Sequence, residues 1–196
     1  LGKYYFHIQN FKEAEETLFK AINLKPDLTD AYACLSVIEM DVFNKAEKAQ
    51  ETLLRGLIYN PKNSSLLNNM AYNYLLLNDT KKAREILDNI STSDQYESIF
   101  VTATRGLLLI KEGNVEEGNR LYNEAINLSS DDKSLIGLIQ QRRYLELARF
   151  YYLKNNFAKA LESTKKVFKF KSRYNYFKLQ AEKMLDSIKY SKEKKN

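Results

Sequence analysis

A small residue recurs in this chain at intervals of about 34 residues, and this spacing constrains the fold more than any other feature. Five positions mark the series, separated by 35, 34, 35 and 42 residues: Ala14, Ala49, Ala83, Gly118 and Ala160. A proline follows twelve residues after each of the first two, at Pro26 and Pro61. A period of 20 to 50 residues is typical of stacked supersecondary units that share one continuous core. We therefore expect about five such units.

Each unit reads as two amphipathic helices. In the second helix of the first unit, Ala14, Leu18 and Ala21 are spaced to form one apolar stripe. A small residue where two helices cross lets their axes approach to about 8–10 Å. With six glycines and two prolines, against 44% hydrophobic and 29% charged residues, the composition favours long helices with short connections over many β-hairpins. The sequence predicts an all-α protein.

Within a unit, the first helix carries leucine, a small residue and tyrosine, and the second helix carries alanine, leucine and alanine before a proline. This pattern resembles the tetratricopeptide repeat (TPR). The first unit carries it at Leu1, Gly2, Tyr5, Ala14, Leu18, Ala21 and Pro26. The resemblance implies an all-α, right-handed superhelical solenoid of about five TPR-like helix-turn-helix repeats with a C-terminal capping helix. The expected repeats are about 1–28, 29–63, 64–98, 99–132 and 133–173, the first truncated at its N-terminus. The capping helix is expected at 174–190 and a basic tail at 191–196.

Four departures from the family pattern carry structural expectations. The second unit has Glu39 where tyrosine is usual, and one extra residue in its inter-helix turn, within 41–44. The third unit has Gln95 in place of the proline. The fifth unit is expected to begin early, with a long helix at about 133–154 that starts after Asp131 and Asp132, whose carboxylates suit an N-cap.

The residues after the fifth unit form a stripe of helical spacing, as expected of a capping helix that shields the last repeat from water. The stripe comprises Tyr174, Phe177, Ala181, Met184, Leu185 and Ile188.

In the TPR family, the first helix of each unit lines a concave groove. Carried over by this resemblance, the predicted partner-binding residues are Cys34, Val37, Asn68, Asn69, Tyr72, Leu76, Thr104, Leu107, Lys111, Arg142, Glu146 and Arg149. The surface is apolar in the middle, with amides on one side and arginines towards the C-terminal end. It suits a helical or extended segment of a partner protein, amphipathic and bearing acidic residues. An alternative for the apolar residues is packing within the chain or against its own C-terminal helix. For Arg142 and Arg149, pairing with Glu146 is the alternative.

Two other functions stay open at this point. Residues 165–196 carry eleven Lys or Arg against three Asp or Glu, whereas the whole chain has a net charge of +6. A basic end of this kind attracts nucleic acid or an anionic membrane surface. Aromatic residues there already belong to the apolar stripe of the capping helix, so they are not available to stack on bases. Nucleic acid is therefore the less favoured partner. The second alternative is a self-assembling scaffold that pairs through the first helix.

The inventory of chemical groups argues against an enzyme. His7 is the sole histidine and Cys34 the sole cysteine, so we expect no catalytic residues, no metal site and no disulfide. No phosphate-binding glycine loop occurs, and no cofactor is expected. No apolar run approaches the roughly 18 residues of a membrane span. A soluble protein is therefore expected. Its location stays open: the cytoplasm is slightly favoured, and a periplasmic or membrane-tethered location applies if an upstream signal or anchor precedes this stretch.

Overall fold

A computed structural model describes residues 1–92, 94–130 and 132–193 and confirms the all-α fold class. Within these ranges the regular structure is helical, arranged as successive hairpins of a first and a second helix. The hairpins are α1 (Gly2–His7) with α2 (Phe11–Leu24), α3 (Thr29–Val37) with α4 (Ala46–Tyr59), α5 (Ser64–Leu76) with α6 (Thr80–Asn89), α7 (Gln95–Lys111) with α8 (Val115–Leu128), and α9 (Lys133–Leu153) with α10 (Phe157–Val167). Helix α11 (Tyr176–Glu193) follows. The last part of the expected basic tail, 194–196, lies outside the described residues.

The same turn joins the two helices of each hairpin. The second residue after the end of each first helix, counting the π-helical segment as part of α3, has a positive φ, between 56° and 96°, which closes the helix in the left-handed conformation. These residues are Gln9, Asn44, Asn78, Gly113 and Asn155. In three hairpins the next residue then caps the second helix, its side-chain oxygen accepting a bond from the backbone N–H three residues on: Asp79, Asn114 and Asn156. A repeated local sequence thus produces a repeated local geometry.

Proline ends the second helix where the sequence supplies it. Helix α2 stops at Leu24 and helix α4 at Tyr59, each two residues before a proline, Pro26 and Pro61. Proline is common just beyond a helix end because it cannot continue the backbone hydrogen bonding. Where Gln95 replaces the proline, helix α7 begins at that residue.

The extra residue of the second unit is absorbed as a π-helical segment. Helix α3 continues without a break into Ile38–Val42, and the Phe43 N–H bonds the Ile38 carbonyl at 3.0 Å. A wider helical turn accommodates an inserted residue without breaking the helix. The insertion turns Glu39 and Asp41 inward, and both are buried.

The chain divides into two compact units at Thr104 and Arg105, within helix α7. Unit 1 (1–104) has a continuous apolar core built from α2 to α5 and the π-helical segment: Ala14, Leu18, Ile22, Ala31, Tyr32, Leu35, Ile38, Leu53, Leu66 and Met70. The repeat positions that predicted an apolar stripe on each helix are therefore positions at which the helices pack together. Among them, Gly56 is in such close contact that a Cβ there would lie 2.9 Å from Leu66 and Tyr32 side-chain atoms.

Unit 2 (105–196) is built on the long helix α9. The predicted long helix is confirmed: α9 runs from Lys133 to Leu153, and the Asp132 carboxylate accepts bonds from the backbone N–H groups of Ser134 and Leu135 at 3.0 and 2.9 Å. Asp131, the other expected cap residue, lies outside the described residues. Helix α11 packs against α9 and α10, and Phe177, Ala181 and Ile188 of its stripe are buried there.

Candidate partner-binding surface

Helices α3 and α5 lie side by side in unit 1 and carry half of the predicted partner-binding residues. The Asn69 amide of α5 donates to the Ala33 carbonyl at 3.2 Å and to the Ser36 hydroxyl at 3.3 Å, both on α3. This amide therefore joins two neighbouring repeats. Around it, three further predicted residues are neither buried nor fully exposed: Cys34, Val37 and Leu76. We call Cys34, Val37, Asn69 and Leu76 the first-helix strip.

Two other predicted residues of α5 lie inside the packing. Tyr72 is 2% exposed, and its hydroxyl donates to the buried Asp41 carboxylate at 2.9 Å. Asn68 is also buried. The Tyr72 bond fixes the π-helical segment against the next repeat, because it connects residues 31 positions apart in the chain. Such a buried hydrogen bond contributes to stability.

The Cys34 thiol is unsuited to nucleophilic chemistry. Burial raises its pKa to about 11, with Lys3 lowering it and Asp30 raising it to smaller extents. At neutral pH the group is therefore a neutral thiol, and the thiolate is the reactive species. The sole histidine, His7, lies on the exposed side of α1. In the described part of the chain, no group of three or more His, Cys, Asp or Glu side chains is placed to hold a metal ion.

In unit 2, a charged cluster occupies the predicted positions of α7 and α9. The Glu146 carboxylate is buried, and its two oxygens face different cations: Arg149 donates to one, and Lys111 Nζ lies 3.9 Å from the other. The Arg149 side chain is 28% exposed and that of Lys111 12%. The cations are therefore the solvent-accessible members of the cluster. The intramolecular pairing that the sequence left open for Arg149 is present.

Helix α11 contacts the same face of α9. A second nitrogen of Arg149 donates to the Gln180 side chain, and the Arg142 guanidinium lies 5.4 Å from the centre of the Phe177 ring. Further along, the hydroxyls of Tyr152 and Ser191 are 2.8 Å apart. The C-terminal helix therefore takes up contacts at this end of the predicted surface, while Thr104 and Leu107 of α7 are buried.

The basic end keeps its charge exposed but packs most of its aromatic rings. Phe170 stacks on Tyr144 with centroids 5.6 Å apart, and Tyr176 and Phe177 are buried. Phe168 is 37% exposed. The cations around it are open to solvent: Lys165, Lys169, Lys171 and Arg173.

Sequence reasoning did not identify the buried acidic residues as a structural feature. Glu39 is fully buried, 3.3 Å from Lys48 Nζ, and Lys48 in turn bonds Glu15 at 2.7 Å. Two departures from the repeat pattern could have indicated this burial: a glutamate at a position where tyrosine is usual, and an inserted residue two to five positions later. Among the described residues, no helix combines the length and apolarity that crossing a membrane requires.

Comparison with known proteins bears on the class of the chain. The family model described as the tetratricopeptide repeat matches residues 1–28. No curated protein matches the sequence significantly. Among solved structures, PilW, a widely conserved type IV pilus biogenesis factor, is similar, with 18% identity over 85% of this chain and 73% of that chain and a TM-score of 0.59.

Two more solved structures share the fold. A tetratricopeptide repeat protein from Parabacteroides merdae has 20% identity over 98% of this chain and 71% of that chain, with a TM-score of 0.57. Pseudomonas aeruginosa PilF has 19% identity over 96% of this chain and 82% of that chain, with a TM-score of 0.57.

Helical hairpins at a fixed interval, closed by the same left-handed turn, define a helical-repeat protein. The first repeat matches the tetratricopeptide repeat, and the chain shares its fold with solved structures that include a tetratricopeptide repeat protein. This fold supports a protein–protein interaction scaffold in general.

Proposed function

We propose that the chain is a non-enzymatic adaptor that binds a helical or extended segment of a partner protein through its first helices. The observation that carries this proposal is the first-helix strip of unit 1. Its members lie on adjacent helices and stay partly open to solvent, although their neighbours Tyr72 and Asn68 are buried. An apolar strip with one amide beside it provides both burial and hydrogen bonding for a bound segment.

The charged cluster of unit 2 supplies the preference for acidic residues in the partner. The Arg149 side chain stays 28% exposed while it bonds the buried Glu146 and the Gln180 side chain. Arginine attracts carboxylates and forms charge-assisted hydrogen bonds with them, so a partly exposed arginine favours an acidic partner. We therefore infer a partner with an apolar stretch for Val37 and Leu76 of unit 1 and, separately, acidic residues for Arg149 of unit 2.

Affinity capture from the source lysate tests this function. The variant Val37→Glu with Leu76→Glu places two charges on the first-helix strip, and Lys81→Glu on the exposed side of α6 is the matched control. Both variants are checked for unchanged helicity by circular dichroism. We expect wild type and the control to retain the same polypeptide and the strip variant to lose it. Equal retention by all three contradicts the proposal.

A second candidate is binding of nucleic acid or an anionic membrane surface through the basic end. The exposed cations next to the partly exposed Phe168 favour it. The variant Lys165→Gln with Lys169→Gln and Lys171→Gln tests it against single-stranded oligonucleotide and against phosphatidylserine vesicles. Binding that is lost in this variant and falls steeply with salt supports the candidate. Absence of binding at low salt excludes it.

A further inference from the structure

The second helices of the first two repeats carry apolar side chains at positions where the later repeats carry polar ones. Five residues after the small residue of each repeat, the chain has Phe19 and Leu54, and then Asp88, Asn123 and Lys165. Nine residues after it, the second repeat has Ile58. Phe19 is 46% exposed, Leu54 51% and Ile58 76%. At these two repeat positions, exposed apolar side chains thus occur on α2 and α4.

The two helices are close enough for side chains to bridge them near their N-terminal ends, where Lys48 of α4 bonds Glu15 of α2 at 2.7 Å. Soluble proteins seldom expose neighbouring large apolar side chains without a use, and such a patch marks an interaction surface. We call Phe19, Leu54 and Ile58 the second-helix patch. It lies on different helices from the first-helix strip and is independent of the function proposed above.

The charges around the second-helix patch are arranged in two rows. Two residues after the small residue, both helices carry an exposed glutamate, Glu16 and Glu51. Six residues after it, both carry an exposed cation, Lys20 and Arg55. At 100° per residue, these positions and those of the patch fall within a sector of about 100° on each helix. Four residues correspond to about 6 Å along the helix, so the acidic row lies nearer the N-terminal ends and the basic row nearer the C-terminal ends.

This arrangement is complementary to itself under a two-fold rotation. When two copies face each other with these helices antiparallel, the acidic row of one copy meets the basic row of the other. Phe19 and Leu54, which lie between the two rows along their helices, then meet each other, and Ile58 lies three residues beyond the basic row. An isologous interface requires this self-complementarity of one surface. A parallel arrangement would place like charges together and is disfavoured.

We propose that a second copy of this chain docks on the second-helix patch and forms an antiparallel, two-fold symmetric dimer through α2 and α4. Apolar burial supplies the attraction, and the two charge rows set the orientation. The first-helix strip of each copy takes no part in the interface.

Sedimentation velocity over a concentration series tests the dimer by charge inversion. The acid-row variant is Glu16→Lys with Glu51→Lys, and the basic-row variant is Lys20→Glu with Arg55→Glu. Each variant alone faces like charges in its own dimer, so we expect the dissociation constant to rise about tenfold or more. An equimolar mixture of the two restores opposite charges, and a mixed dimer should form with an affinity near that of wild type.

Three further variants distinguish the second-helix patch from other surfaces of the chain. Leu54→Glu, at a site that is 51% exposed, should abolish the dimer without changing helicity. Asp88→Lys, at the equivalent position of α6, should leave the dimer intact. Tyr4→Glu, on the exposed side of α1, should leave it intact as well.

A wild-type chain that is monomeric at every concentration overturns the proposal. A dimer lost in Tyr4→Glu but kept in the row variants overturns it in favour of pairing through the first helix. Failure of the mixture to restore association overturns the two-fold charge pairing.

Discussion

Gly137 is the glycine at which an added Cβ atom is predicted to lower stability most. A Cβ there would lie 1.7 Å from the Lys171 carbonyl oxygen, and backbone cannot yield as a flexible side chain does. We expect Gly137→Ala to lower the free energy of unfolding by about 2–3 kcal/mol, the upper range for overpacking. Urea denaturation measures the change, with Lys133→Ala on the exposed start of the same helix as the control. A loss below about 0.5 kcal/mol contradicts the contact.

Glu39 gives the protein a distinctive dependence of stability on pH. Burial raises its pKa, and the Thr52 hydroxyl and Lys48 offset this only in part. The unfolded chain therefore releases this proton at a lower pH than the folded chain does. The stabilising contribution of the protonated group is complete at pH values below the ordinary carboxyl pKa, and it is lost as the pH rises towards the raised one.

The substitution Glu39→Gln removes this titration. We expect the variant to gain stability relative to wild type as the pH rises from about 4.5 towards neutrality. Thermal denaturation across that range measures the difference, and Glu47→Gln, an exposed residue of the following helix, serves as control. A difference between variant and wild type that is constant with pH would show that the carboxyl does not titrate in this way.

Single residues also mark the limit of reasoning from the sequence. The five small residues that mark the repeats are buried where the pattern placed them, and so are the leucines four residues after the first three of them, because this spacing is itself the packing rule. The burial of Tyr72, Asn68, Thr104, Leu107 and Glu146 did not follow from that pattern. A position on a helix face specifies a direction but not how closely the neighbouring helix approaches.

At the scale of elements, helix α11 is an integral part of unit 2. Phe177 is 1% exposed and lies beneath the Arg142 guanidinium. We expect Phe177→Ala to lower the free energy of unfolding of unit 2 by about 3–5 kcal/mol through loss of burial and the cavity it leaves. Guanidinium denaturation followed by circular dichroism tests this.

Leu179 of the same helix, 50% exposed, is the matched control for Phe177. Its replacement by alanine should cost less than about 1 kcal/mol. Equal effects at the two positions would contradict the packing of α11 on α9.

Helix boundaries were predictable where a chemical group fixes them. Prolines fixed the ends of α2 and α4, and Asp132 fixed the start of α9. The continuation of α3 as a π-helical segment was not predictable, because an inserted residue is compatible with either a longer turn or a wider helix. The choice depends on the tertiary contacts that bury Glu39 and Asp41.

At the scale of the whole molecule, the repeat period predicted the fold class but not the working surface. Every repeat offers a first and a second helix, and the family pattern concerns only the residues packed between them. The side chains outside that pattern differ from repeat to repeat, as the apolar residues of α2 and α4 show. Partner preference therefore has to be read from the exposed residues of each repeat separately.

Site-specific photo-crosslinking in the source lysate tests most directly whether the first helices bind a partner protein. A benzophenone amino acid is placed at Val37 or Leu76 on the first-helix strip, and at Lys81 on α6 for comparison. We expect one polypeptide to be crosslinked from Val37 and from Leu76, displaced by excess unlabelled wild type, and none from Lys81. Crosslinks of equal yield from all three sites, or crosslinks to nucleic acid alone, would contradict binding of a partner protein by the first helices.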